Sequence, residues 1–174
     1  MKKSDQATNE NRWTIEDSST LYDLNQWGEE YFAINQEGNI SVYPKGKAGE
    51  NLDLLELVKE LEGRNLKLPL LIRFDDILED RLKKIQEAFK QAISQYKYEG
   101  NYQGVYPIKC NQQRHVVEEL ITCGSKWHFG LEAGSKAELL IALSLINDPK
   151  AFLICNGYKD QQHIETAILA RQLG

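Results

Sequence analysis

The stretch "GVYPIKCNQ", residues 104–112, decides how the rest of the chain is read. Val105, Tyr106 and Ile108 favour strands, and Pro107 forces the residue before it into an extended conformation. Lys109 sits inside that run, although lysine is among the side chains least often fully buried. Strand alternation puts Val105, Pro107 and Lys109 on one face and Tyr106, Ile108 and Cys110 on the other.

Downstream the same unit recurs. A strand over 103–110 leads to a helix with Val116, Val117, Leu120 and Ile121 inward, closed at Gly124. A strand over 127–133 leads to a helix opened by Ser135 and Glu138 as a capping box and carrying Leu139, Leu140, Leu143 and Ile146. A third strand, 151–155, leads to a helix with Ile164, Ala167, Ile168 and Leu173, ending at Gly174. Lys109, Glu132 and Cys155 fall at equally spaced strand ends. A regular βα period means parallel strands with right-handed helical crossovers.

Upstream, residues 1–20 are polar and read as a flexible arm. Residues 31–44 read as a hairpin turning at Gly38. Asn51 is placed to cap a helix with Leu52, Leu55, Val58 and Leu61 on one face and Gly63 as its stop. The apolar run 68–74 suits a covered strand, and Asp75 then caps a long helix with Leu78, Leu82, Ile85, Phe89, Ala92 and Tyr96 in line. That makes about four βα units, where a closed barrel needs eight and about 250 residues. The expected fold is α/β: the N-terminal part of a (β/α)8 TIM-type barrel, preceded by a β-hairpin and a helix. Its expected divisions are an arm at 1–20, the hairpin and helix at 21–66, and the first barrel units at 67–174. A small open α/β domain fits the same pattern.

The composition, 41% hydrophobic and 27% charged, is that of a globular protein. A net charge of −5 argues against a general nucleic-acid binder. No apolar run approaches the ~18 residues of a membrane span, and no apolar core follows the first lysines as a secretory signal would require. The three cysteines form no CxxC pair and read as reduced thiols of a cytoplasmic protein, with Cys110 and Cys155 as small core residues. His115, His128 and His163 show no ligand spacing, so no metal ligand is assigned.

Chemistry in such folds gathers at the C-terminal ends of the strands, where Lys109 lies. A lysine aimed into a barrel mouth would be partly desolvated, and a desolvated amine attacks aldehydes to form a Schiff base. The plain alternative is a strand-end lysine that snorkels to solvent.

The wording around the lysine narrows the choice. "YPIKCNQ" resembles the lysine motif of pyridoxal-phosphate enzymes on an alanine-racemase-type barrel. In order, "YFAIN", "VYPIKCNQ", "GLEAGSKAEL" and "CNGYKD" resemble the N-terminal part of the biosynthetic arginine decarboxylases, from about Tyr22 onward. The resemblance implies that Lys109 carries pyridoxal 5'-phosphate and that Glu132 lies near lysine and cofactor, with a surface or capping role as the alternative. Asn156 is placed to reach the pocket, with a turn role beside Gly157 as the alternative. The family further implies decarboxylation of arginine to agmatine, the entry to polyamine biosynthesis. It also implies magnesium, for which no ligand cluster is visible, and a homo-oligomer whose phosphate loop, ring-stacking histidine and pyridinium partner come from later strands. On this reading the 174 residues are a front part, inactive alone. A non-catalytic pyridoxal-phosphate barrel protein and a small α/β interaction domain remain the rival readings.

Overall fold

The computed structural model describes residues 12–47 and 49–173, in two compact units that divide between Arg73 and Phe74. The arm expected at 1–20 lies outside the described residues up to residue 11. From Ile15 to Leu21 the chain is a helix, α1, which corrects the arm. The reason is local: Thr14 Oγ1 accepts from Asp17 N–H at 3.1 Å while the Asp17 carboxylate accepts from Thr14 N–H at 2.8 Å, a complete capping box. The Thr14 hydroxyl, donating to the same carboxylate at 2.6 Å, and then the Thr14 N–H hold the Asp17 carboxyl below its ordinary range.

After the short helix α2, Leu24–Trp27, the hairpin forms as expected, with β1, Phe32–Ile34, antiparallel to β2, Ile40–Val42. Gly38 turns it at φ 82, a conformation that suits a residue without Cβ. A third strand, β3, Leu52–Asp53, adds to β2. Asp53 and not Asn51 caps α3, Leu54–Gly63, because its Oδ1 accepts from Leu55 N–H and Glu56 N–H. Its Oδ2 accepts from Asn35 Nδ2 at 2.7 Å and Asn39 Nδ2 at 2.9 Å, so one carboxylate ties the hairpin turn to the helix start. Leu24, Tyr31 and Val42 are the buried hydrophobic residues among the described part of this unit.

The run 68–74 is not a strand. It belongs to neither sheet, and Leu71 is 76% exposed. Its side chains still alternate, with Leu70, Ile72 and Phe74 half-buried and Leu71 and Arg73 exposed. Alternation alone does not make a strand, which also requires a ladder partner.

In the second unit, α4 runs Asp75–Gln95 with Phe74 as its cap residue, so Asp75 sits inside the first turn. There it faces the positive end of the helix dipole without serving as the cap. Then follow β4 (Val105–Pro107), α5 (Arg114–Gly124), β5 (Gly130–Ala133), α6 (Lys136–Leu145), β6 (Leu153–Cys155) and α7 (Gln161–Leu173). The strands form one parallel sheet in the order β4-β5-β6. Tyr106, Leu131 and Leu153 align across it on the helix-facing side. There Ile108, Val117, Leu131 and Ala142 make one buried cluster, and Leu82, Val116, Leu120 and Phe129 make another between α4 and α5. Pro107, Glu132 and Ile154 align on the opposite face. Parallel strands with a helix after each are the architecture expected of the first part of a βα barrel.

Candidate active site

β4 stops at Pro107, and Lys109 lies beyond it in a 3-10 turn, Ile108–Cys110. This corrects the strand drawn through 110. The proline has no N–H to continue the ladder, and the next residues coil instead. Ile108 is fully buried and pins the turn to the core, while Lys109 points outward with a side chain 58% exposed. The Lys109 amine is thus open among the described residues. Register also departs from the equal spacing of the strand ends, since Glu132 lies opposite Pro107 and Ile154.

The lysine and Glu132 nonetheless meet. Lys109 Nζ stands 3.9 Å from Glu132 Oε1, an ion pair too long for a direct hydrogen bond. Glu132 is only 7% exposed, although glutamate is almost never fully buried unless paired. Its Oε1 is buried without a hydrogen-bond partner. Such an oxygen carries the desolvation cost of a lone polar group. One open amine and one unspent carboxylate oxygen thus face each other at the sheet's C-terminal edge.

The loop around the amine is braced on several sides. Tyr106 OH donates to Asn111 O at 3.4 Å, and Asn111 Oδ1 accepts from Gln113 N–H at 3.0 Å. Gln112 Nε2 donates to Glu138 Oε1 at 2.9 Å. Ser135 caps α6 by accepting from Glu138 N–H, as expected, but the Glu138 side chain does not return to Ser135 N–H. Its Oε2 accepts from Gly134 N–H at 2.7 Å. Gln112 and the second function of Glu138 were missed in the sequence; the only signal was the Ser135–Glu138 box itself.

Asn156 is not brought to the pair. It is exposed, its Oδ1 accepts from its neighbour Gly157 N–H at 2.8 Å, and its own N–H donates to Ala133 O at 2.8 Å. Gly157 takes φ 74 there, as a tight turn requires. Cys110 is exposed because the 3-10 turn carries it off the strand, which corrects its place in the core; Cys155 is half-buried. Burial pushes the Cys123 thiol up to about 11, with the charges of Glu119 and Glu79 adding to the shift, so this thiol is inert at neutral pH. Among the described residues no group of three or more His, Cys, Asp or Glu is arranged to hold a metal ion. No helix among them is long and apolar enough to cross a membrane.

A parallel βα sheet with a lysine just past one strand and a buried carboxylate at the end of the next is an arrangement chemically suited to holding a carbonyl compound. The family model described as "Pyridoxal-dependent decarboxylase, pyridoxal binding domain" matches residues 82–172, and the chain belongs to that family. Its sequence is 70% identical over 174 residues to the biosynthetic arginine decarboxylase of Prochlorococcus marinus, covering 100% of this chain and 27% of that protein. It is 59% identical over 168 residues to the protein of the same name from Thermosynechococcus vestitus, covering 97% of this chain and 26% of the other. The crystal structure of the biosynthetic arginine decarboxylase from Campylobacter jejuni superposes with a TM-score of 0.79 at 35% identity, over 88% of this chain and 25% of that one. The chain thus spans about a quarter of the length of these relatives.

Proposed function

We propose that the whole protein carrying this chain decarboxylates L-arginine to agmatine and carbon dioxide, using pyridoxal 5'-phosphate held on Lys109. The relatives' names supply the substrate, and family membership takes the place of the stand-alone interaction domain. One observation carries the reading: an exposed lysine amine 3.9 Å from a buried carboxylate whose oxygen has no other partner. Both features fit the cofactor, since the amine is open to an incoming aldehyde and the orphaned oxygen awaits a proton donor. Pyridoxal phosphate, when bound, supplies that aldehyde and a ring that accepts the electrons left by the departing carboxylate.

The chain's own residues then have separable tasks. Lys109 supplies the amine and, when substrate displaces it, a base beside the reacting carbon. Glu132 holds that amine on the sheet's C-terminal edge and offers Oε1 to a proton on lysine or cofactor. The braced turn keeps Lys109 from wandering over the exposed edge. Asn156 serves the turn after β6. Assembly of the whole protein as a homo-oligomer belongs to the same proposal.

The test uses the whole protein loaded with pyridoxal phosphate, reduced with borohydride and digested for peptide mapping. The pyridoxyl label is expected on Lys109. Lys109→Ala should lose both the label and the visible absorbance, and lower arginine turnover by at least about a thousandfold, the scale of removing a covalent catalyst. Label on another lysine, or a turnover product other than agmatine, overturns the assignment.

A further inference from the structure

Glu138 occupies the position from which a capping-box glutamate would bond the backbone N–H of Ser135. It goes elsewhere, and both of its carboxylate oxygens are engaged. Oε2 accepts from Gly134 N–H at 2.7 Å, one residue ahead of the cap, and Oε1 accepts from the Gln112 side chain at 2.9 Å. The residue is 8% exposed, so this buried carboxylate is compensated by hydrogen bonds and not by water. A helix start has given up one local bond to reach a loop on another βα unit, and departures of this kind from local rules cluster where a fold serves a site.

The two loops it joins are those that hold the lysine and the glutamate. Gln112 is three residues after Lys109, in the loop from the 3-10 turn to α5. Gly134 is two residues after Glu132, in the loop from β5 to α6. The gap between Lys109 Nζ and Glu132 Oε1 has no direct hydrogen bond to fix it. The Gln112–Glu138–Gly134 bridge spans the same gap with two short bonds to a charged acceptor, which are the strong kind. A Cβ on Gly134 would lie 3.3 Å from Glu138 Oε2 and 4.0 Å from Glu132 Oε1, so the bridge passes directly beside the site carboxylate.

We propose that Gln112 and Glu138 form a latch that holds the Lys109 turn in register with the end of β5, making both positioning residues for the lysine amine. The inference rests on the proposed function, in which that amine holds the cofactor. Gln112 is exposed and lies outside the core, so its replacement leaves the fold intact. Gln112→Ala frees the turn and leaves Glu138 short of a donor. Gln112→Glu places a second carboxylate against the first and drives the loops apart. Gln112→Asn retains the amide with a shorter reach.

The experiment follows release of pyridoxal phosphate from the whole protein during dialysis, together with kcat, KM for arginine and the melting temperature. Gln112→Ala is expected to release cofactor roughly tenfold faster and to lower kcat roughly tenfold, the scale of losing a support behind a working residue. KM should stay within about twofold, and the melting temperature should fall by no more than a few degrees, the cost of one lost donor. Gln112→Glu should be the most severe, Gln112→Asn intermediate. Adding Glu138→Gln to Gln112→Ala should cost less than the two changes apart, because they cut one bridge. Wild-type release from Gln112→Ala, or losses that only track a lower melting temperature, overturns the latch. If the wild-type label maps to Lys109 and Gln112→Ala is silent, the latch alone fails. If the label maps elsewhere, the proposed function fails first.

Discussion

At the end of β5 a glutamate is buried with one oxygen unspent; one strand over, at the end of β6, an asparagine closes on its own backbone. The two positions belong to the same βα repeat and lie on neighbouring strands of one sheet. What separates them is where each side chain finds a partner. Asn156 Oδ1 reaches the N–H of the next residue, and Gly157 makes the turn that allows it. Glu132 Oε1 accepts no hydrogen bond and stands 3.9 Å from Lys109 Nζ across the sheet edge. A polar residue satisfied within one or two residues of itself is doing structural work. One buried and left unsatisfied carries a cost that a bound group would relieve.

The sharpest way to break that contrast is to neutralise the β5 carboxylate. Glu132→Gln keeps the shape and removes the charge. Turnover of the whole protein should fall roughly ten- to a hundredfold, the range of losing one charge that supports a reacting group. The fold should survive, because the change keeps the side chain's shape and removes a buried charge whose one ionic partner is long and exposed. The check is kcat measured beside circular dichroism. Unchanged turnover would place Glu132 with Asn156 as a structural residue.

Much of this arrangement could be read from the residues. The βα repeat from 103 onward, the hairpin at 31–44 and the helix after Ser135 all rest on local rules of periodicity, turn chemistry and capping, and all appear. The failures lie where a partner outside the local stretch decides. The run 68–74 has strand composition and alternation but no neighbour in either sheet. Lys109 left the strand because Pro107 ended the ladder, and no alternation rule anticipates a 3-10 turn. Glu138 obeyed its sequence signature with its N–H and departed from it with its side chain, drawn by Gln112 and Gly134. The meeting of Lys109 and Glu132 was legible only through the family resemblance, since the register between strands is set by packing across the sheet.

A smaller effect concerns the tie between the loops that follow β5 and β6. Lys136 Nζ, at the start of α6, bonds Asp160 Oδ2 at 2.7 Å, and Asp160 Oδ1 accepts from His163 N–H at 2.9 Å in the first turn of α7. The Lys136 bond first, then the His163 N–H, holds the Asp160 carboxyl below its usual 3.8. A lowered carboxyl stabilises the fold fully above its unfolded value and loses that contribution as pH falls through the folded one. Amide protection in the first turn of α7, taken as the exchange rate relative to the intrinsic chemical rate at each pH, should therefore be insensitive to pH from 7 down to about 4 and weaken below the unfolded value. In Asp160→Ala that acid-side change should vanish, with weaker protection at every pH. An acid response that persists in Asp160→Ala would assign it to another group.

The smallest effect belongs to the β6 end itself. Asn156→Ala removes the bond to Gly157 N–H but leaves the backbone bond from residue 156 to Ala133 O, which any residue can make. The side chain is exposed, so no buried donor is stranded; Gly157 N–H turns to water instead. The expected cost is about 0.5 kcal/mol of stability or less, the range of an exposed surface change, with turnover and cofactor release within about twofold of wild type. Asn156→Asp should behave alike, since aspartate can accept from the same N–H. The measurement is the pair of release half-time and kcat used for Gln112, run side by side on Asn156→Ala and Glu132→Gln. A loss in Asn156→Ala as large as that in Glu132→Gln would mean that the β6 end also touches the cofactor in the whole protein. The contrast between the two strand ends would then reflect only the part of the barrel that these residues build.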